Sequence, residues 1–85
     1  MTEAVRIRRG DTGEPVRDLQ HRLALAGHPV PDISLGVFDA RTDASVRAFQ
    51  TQRGLRVDGV CGRETWTALI EASWAPGDRL IYHRS

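Results

Sequence analysis

Three arginines and one aspartate around a predicted turn are the residues best suited to hold a ligand. Arg53 and Arg56 precede the Asp58-Gly59 turn, and Arg63 follows it. A guanidinium binds a carboxylate through two parallel hydrogen bonds, a geometry that Lys cannot match, and Asp58 can accept from hydroxyl or amide donors. We hypothesise a shallow, weak binding surface here. The alternative is that the arginines are solvated and Asp58 caps the turn.

The soft metal ligands are too scattered to indicate a metal site. The only ones are His21, His28, His83 and Cys61, and none forms a pair with zinc spacing. We expect His21 on a helix surface, His28 in a loop and His83 in the tail. Cys61 is expected to be a small buried hydrophobe, because a nucleophilic thiolate needs a nearby base and an electropositive setting. The sequence indicates neither a metal ion nor a cofactor.

No arrangement typical of a catalytic site stands out. The chain has no recognisable Ser-His-Asp order and no Gly-rich phosphate loop. Turn and helix capping accounts for the loop aspartates, which are Asp32, Asp39, Asp43 and Asp58. A glycosidase needs a cleft between two carboxylates, for which 85 residues leave little room. We therefore expect that this chain alone is not an enzyme.

The composition is that of one small globular domain. Of its 85 residues, 40% are hydrophobic and 27% are charged. All 12 basic residues are Arg, which fits a GC-rich coding bias, and the net charge of +1 argues against a nucleic-acid binder. No stretch approaches the roughly 20 apolar residues of a membrane span. No signal peptide is visible at the start, so a cytoplasmic location stays open.

Caps, turns and apolar spacing predict an all-α fold of three helices. The first is expected from about Pro15 to Ala26, capped by Asp11 or Thr12. The second follows an N-cap at Asp39 and ends at Gly54, and the third opens at Gly62 or Arg63. The helices are expected to pack as a compact bundle whose core comprises Leu19, Leu23, Val46, Phe49, Trp66 and Leu69.

Extended or irregular segments are expected around the bundle. Val5 to Arg8 alternates apolar and charged residues, as in a short strand with one buried face. A long first connection, His28 to Gly36, should tuck Ile33 or Leu35 inward. We therefore divide the chain into an N-terminal segment (1–9), a three-helix domain (10–72) and a linker toward a missing downstream domain (73–85).

A faint repeat links the first two helices. Val16-x-x-Leu19-Gln20 recurs 30 residues later as Val46-x-x-Phe49-Gln50. A duplicated helical hairpin and a coincidence are both open.

Motifs in both halves of the chain resemble one known family. The first half carries a run from Ile7 to Val16, then Leu19-Gln20, Leu23 and Gly27. The second half carries Phe38-Asp39-x-x-Thr42, Val46, Phe49-Gln50, Gly54-Leu55-x-Val57-Asp58-Gly59-Val60 and Gly62-x-x-Thr65-Trp66-x-x-Leu69. The pattern resembles the peptidoglycan-binding domain 1 family from about Ile7 to Ile70. It departs at His28, Ser45 and Arg63, where the family often has an aromatic residue, Ala and Pro.

The resemblance implies a non-catalytic cell-wall module that localises an attached hydrolase. The expected ligand is the glycan or stem peptide of peptidoglycan, with no nucleic-acid or membrane partner. The tail from Gly77 to Tyr82 is similar to the linker between tandem copies in amidase-like proteins of high-GC Gram-positive bacteria. This similarity implies a second copy of the domain and an amidase domain in the same protein, with a cell-wall location after export.

The alternative is a protein-interaction or regulatory module that no longer binds peptidoglycan. Its interface would comprise Trp74, Leu80, Ile81 and Tyr82. Binding to purified sacculi separates the two interpretations.

Overall fold

Three α-helices make up most of the described chain. The computed structural model describes residues 6–31 and 35–73, in which α1 spans Glu14–Leu25, α2 spans Ala40–Arg53 and α3 spans Arg63–Ala72. Helix α1 packs against both α2 and α3. The predicted all-α, three-helix architecture is confirmed. None of the helices in these two ranges is long and apolar enough to cross a membrane.

Helix α2 begins and ends at the predicted residues. The side chain of Asp39 accepts hydrogen bonds from the backbone N–H groups of Arg41 and Thr42, at 3.1 and 3.2 Å. These bonds satisfy two donors that have no partner inside the helix. At the other end, Gly54 adopts a left-handed conformation with φ 72°, which glycine tolerates without the usual Cβ clash.

The predicted cap of α1 is wrong. The N-cap residue is Gly13, and no side chain caps the helix. Asp11 instead accepts from the backbone N–H of Arg8 at 2.9 Å, and Thr12 forms an isolated bridge with Val37. Both candidate caps therefore have other roles, because the chain before α1 folds into its own turn and pairs with the first connection.

The buried core contains most of the predicted residues. Five of the six predicted core side chains are fully buried, namely Leu19, Leu23, Val46, Phe49 and Leu69. Trp66 is only partly buried and packs against this core from its edge. Val16 of α1 also belongs to it, as do four residues outside the helices: Ile7, Val30, Phe38 and Cys61. The extended segments thus supply apolar side chains that three short helices lack.

The first connection differs from its prediction. Leu35 is 60% exposed, so of the two residues expected to tuck inward, Leu35 does not. Val30 and Phe38 are buried at the two ends of the connection instead, and Ile33 lies outside the described residues. Phe38 is held by a bridge-like pair of backbone hydrogen bonds, Phe38 N to Asp11 O and Gly10 N to Phe38 O, both 3.0 Å.

Candidate functional site

Gln50 of α2 organises the turn around which the candidate ligand residues lie. Its side chain is 1% exposed. The amide nitrogen lies 3.1 Å from each of three acceptors: Asp58 Oδ1, Val60 O and Thr65 Oγ1. The amide oxygen accepts from the backbone N–H of Gly59 at 3.1 Å. One buried side chain therefore ties the turn and the first turn of α3 to α2.

Gln20 of α1 makes the equivalent contacts in the first half of the chain. Its amide nitrogen donates to Val37 O and Thr42 Oγ1, both at 3.1 Å. Its amide oxygen accepts from the N–H of Gly36 at 2.9 Å. Around Gln50 the partners are again a Gly-Val pair and a Thr, and the Thr follows the Gly by six residues in both halves, although the pair lies closer in sequence to Gln50 than to Gln20. The repeat is therefore one of contacts as well as sequence, which favours a duplicated helical hairpin.

Gly59 brings the turn into close contact with α2. It is buried, with φ 74°. A Cβ at this position would overlap Asp43 Oδ1 and lie 2.8 Å from Arg47 Nη2. Arg47 bonds Asp43 through Nε at 3.2 Å and donates to Asp58 O at 3.3 Å. The Asp43–Arg47 pair thus fixes the turn from its outer side.

A cavity of about 300 Å³ opens beside this turn. Its charged lining residues include Arg6, Arg56, Asp58 and Arg63. An adjoining cavity of about 230 Å³ shares Arg6 and is also lined by Arg8. We call the larger cavity the arginine groove; its remaining lining residues are Val60, Gly62, Glu64 and Thr65.

The groove unites three of the four ligand residues predicted from sequence. Arg56, Asp58 and Arg63 all line it, whereas Arg53 does not. The Arg53 guanidinium carbon lies 5.7 Å from the centroid of the Phe49 ring. Sequence reasoning missed Arg6. The alternation of apolar and charged residues around Arg6 was the available signal, because it places Arg6 on the exposed face of the segment. The neighbouring Ile7 lies on the opposite face, where it is buried and pairs with Cys61.

The arginines of the groove differ in their partners from four other arginines that lie on the helices. Four helix arginines have a carboxylate oxygen within 4 Å, and these are Arg17, Arg22, Arg41 and Arg47. Among the described residues, the guanidinium groups of Arg6, Arg56 and Arg63 have no hydrogen-bond partner and no carboxylate oxygen within 4 Å, and the one resolved charge interaction is that of Arg56 with Asp58. Their donors are therefore available to a ligand that enters the groove.

Asp58 is engaged within the turn. Its Oδ1 accepts from the backbone N–H of Val60 at 2.9 Å and also from Gln50. The bond from Val60 lowers the pKa of Asp58 below its ordinary 3.8, against a smaller opposing effect of burial, and Gln50 and the charge of Arg56 lower it further. Capping of the turn, the alternative interpretation of Asp58, is therefore present in the structure.

An Asp58→Asn variant is expected to make the stability of the fold depend less on pH below neutral. Because the folded pKa lies below the unfolded value of 3.8, the ionised carboxylate stabilises the fold above that value, and this contribution is lost as the pH falls through the folded pKa. The variant should have a lower Tm than the wild type near neutral pH and a smaller deficit at about pH 3. Circular dichroism melts at both pH values measure this, and an equal deficit at both would contradict it. Asp39→Asn is the matched comparison, since it keeps the capping oxygen of α2 but removes the charge of a second carboxylate with a lowered pKa, and it should show the same pattern.

Cys61 is a buried apolar residue, as predicted. It is fully buried, and burial raises the pKa of its thiol to about 12. The thiolate required of a nucleophile is therefore strongly disfavoured at neutral pH. Within residues 6–31 and 35–73, no group of three or more His, Cys, Asp or Glu side chains is placed to hold a metal ion.

Two of the three histidines lie where the sequence predicts. His21 is exposed on α1. His28 lies in the loop after α1, with Nε2 2.7 Å from Gln52 Oε1 and its ring 5.8 Å from that of Phe49 in an edge-on arrangement. His83 lies outside the described residues.

Comparison with known proteins finds one family and several enzymes to which the chain is similar. A sequence model of the peptidoglycan binding domain matches residues 12–69. The N-acetylmuramoyl-L-alanine amidase CwlM of Mycobacterium tuberculosis is 40% identical over 92% of this chain and 21% of its own length. The spore cortex-lytic enzyme of Bacillus cereus is 40% identical over 79% of this chain and 26% of its own length. The chain therefore spans about a quarter or less of these curated relatives.

A solved structure has the same fold. The crystal structure of the SleB N-terminal domain superposes with a TM-score of 0.77 and is 38% identical. The match covers 82% of this chain and 94% of that domain.

Proposed function

Because the chain belongs to the peptidoglycan binding domain family, we propose that it binds peptidoglycan without catalysing a reaction and localises an attached hydrolase. The names of the relatives support this role, since they are an N-acetylmuramoyl-L-alanine amidase and a spore cortex-lytic enzyme. The small share of each relative that is matched supports an accessory part of a longer enzyme. We propose that the attached enzyme is an amidase and that the module acts at the cell wall.

We further propose that the arginine groove is the binding surface. The observation that carries this proposal is the convergence of Arg6, Arg56 and Arg63 on one cavity, with no hydrogen-bond partner for their guanidinium groups among the described residues. Asp58 contributes by holding the turn and keeps one carboxylate at the edge of the groove. Arg53 lies outside the groove and is not part of the proposed surface.

The cell-wall role is favoured over the alternative of a protein-interaction module, because the relatives act on cell-wall material by name. The interface residues of that alternative, Trp74, Leu80, Ile81 and Tyr82, lie outside the described residues. A tandem second copy and a high-GC Gram-positive source stay predictions, which the remainder of the reading frame would test.

The double variant Arg56→Ala/Arg63→Ala should be retained on purified sacculi about tenfold less than the wild type, because charge-assisted hydrogen bonds are lost. A pull-down at several salt concentrations measures retention. The matched control is Arg9→Ala/Arg53→Ala, which removes the same charge from two exposed arginines outside the groove. Equal loss in both double variants would contradict the proposed surface, and a wild type that does not bind sacculi would contradict the proposed function.

A further inference from the structure

We propose that the arginine groove recognises a free carboxylate of the stem peptide rather than the sugar chain. This inference rests on the proposed function and names the ligand class of the same site. It predicts that the module distinguishes a free stem-peptide carboxylate from its amide.

The charges of the groove favour an anionic ligand. Arg6, Arg56 and Arg63 line it together with two carboxylates, Asp58 and Glu64. Asp58 Oδ1 already accepts two hydrogen bonds inside the turn, whereas the three guanidinium groups keep their donors. A carboxylate from outside would satisfy these donors in the bidentate geometry that Arg prefers.

The size and lining of the groove favour the end of a stem peptide over a glycan strand as the ligand. Its volume of about 300 Å³ is at the lower limit of the range of about 300–1,000 Å³ for small-molecule sites. Among the described residues that line it, none is aromatic. The groove therefore lacks a flat apolar surface on which the C–H face of a sugar could pack.

The first half of the repeat shows how a carboxylate fits this backbone. Asp39, the N-cap of α2, has φ −103° and ψ −169°, and Gly62, at the equivalent position before α3, has φ −101° and ψ −162°. The Asp39 carboxylate accepts from the N–H groups two and three residues later. At α3 the corresponding amides belong to Glu64 and Thr65, and no side chain caps the helix.

Gly62, Glu64 and Thr65 all line the arginine groove. A ligand carboxylate can therefore take the position that Asp39 occupies on α2 and meet the arginines there. A helix terminus by itself would attract any anion weakly, so the guanidinium groups are what would make this position selective.

The first experiment titrates the ¹⁵N-labelled chain with acetyl-D-alanyl-D-alanine and, separately, with its C-terminal amide. The free acid should shift the amide resonances of Glu64 and Thr65 and bind about tenfold or more tightly than the amide. Equal affinities would overturn the inference while leaving sacculus retention, and hence the proposed function, intact. Inorganic phosphate is the third probe. Tighter binding of phosphate than of the free acid would overturn the inference in favour of a phosphate-containing wall polymer.

The second experiment introduces a carboxylate into the groove as a side chain of the protein itself. A Cβ at Gly62 would have Arg6 Cγ at 3.8 Å as its nearest neighbour, an ordinary contact, so Gly62→Asp should fold. We expect this variant to have a raised Tm, because the new side chain caps α3, and to lose free-acid binding about tenfold or more. Thr67→Asp, at an exposed position of α3 outside the groove, is the charge-matched control and should bind as the wild type does. Wild-type affinity in Gly62→Asp, or an equal loss in both variants, would overturn the inference.

Discussion

A Gln50→Leu variant is expected to lose about 3–5 kcal/mol of unfolding free energy, since each buried polar group left without a partner costs about 1–3 kcal/mol. The substitution keeps an apolar side chain of similar size but removes the partner of the Gly59 N–H, the Val60 carbonyl and the Thr65 hydroxyl. Small domains have a total stability of about 5–15 kcal/mol. Urea unfolding followed by circular dichroism should therefore show a much earlier transition.

The repeat supplies the matched control for this variant. Gln20→Leu removes the equivalent bonds to Gly36, Val37 and Thr42 and should destabilise the domain to a similar extent. Under conditions in which both variants remain folded, only Gln50→Leu should weaken retention on sacculi, because Gln50 holds the turn beside the arginine groove. A Gln50→Leu variant within about 1 kcal/mol of the wild type would contradict the assigned role of this network.

A Gly59→Ala variant is expected to be destabilised by about 2–5 kcal/mol through two separate effects. The positive φ of 74° costs an alanine about 1–2 kcal/mol. The added Cβ would also overlap Asp43 Oδ1 and press against Arg47, and overpacking of this kind costs about 1–3 kcal/mol more. The overlap can be relieved by a shift of the Asp43 and Arg47 side chains, which would disturb the bond from Arg47 to Asp58 O, or by movement of the turn away from α2.

Gly54→Ala separates the two effects. Gly54 has nearly the same φ, 72°, but nothing lies within 4 Å of the position that an added Cβ would take. It should therefore show the backbone cost alone. Chemical denaturation of both variants gives the difference, which we attribute to the contact with the Asp43–Arg47 pair. Equal destabilisation of the two variants would show that the contact has no energetic consequence.

The helices could be predicted because their signals are local. Asp39 caps α2 through amides two and three residues away, and Gly54 ends the same helix by its own backbone conformation. The spacing of Leu19 and Leu23, both fully buried, likewise depends only on the helical period. Such features need no knowledge of the rest of the chain.

The errors arose where a residue had a choice between local and distant partners. Asp11 is close enough in sequence to cap α1, but it accepts from Arg8 in the preceding turn. Leu35 is apolar but is 60% exposed, because Val30 and Phe38 fill the core on either side of it. Local preference could not decide between these outcomes, since each depends on segments that meet only after folding.

The candidate groove was predictable only in part. Arg56, Asp58 and Arg63 lie close to one turn in sequence, which sufficed to predict that they share a surface. Arg53 precedes Asp58 by five residues and Arg63 follows Gly59 by four, so both are close to the turn in sequence. Helix α2 nevertheless places the Arg53 guanidinium over the Phe49 ring. A helix assigns its side chains to faces by its period, so proximity in sequence does not ensure a shared face.

Residue types and short-range spacing were enough to establish the three helices, most of the core and the family resemblance. Folding alone brought Arg6 to the groove, because the pairing of Ile7 with Cys61 joins the beginning of the chain to the start of α3. Folding also gave the glutamines of the repeat their role, since the partners of Gln50 become neighbours only when the turn packs on α2. The physical reason is that capping and helical periodicity act over a few residues, whereas a groove requires side chains from separate segments to converge.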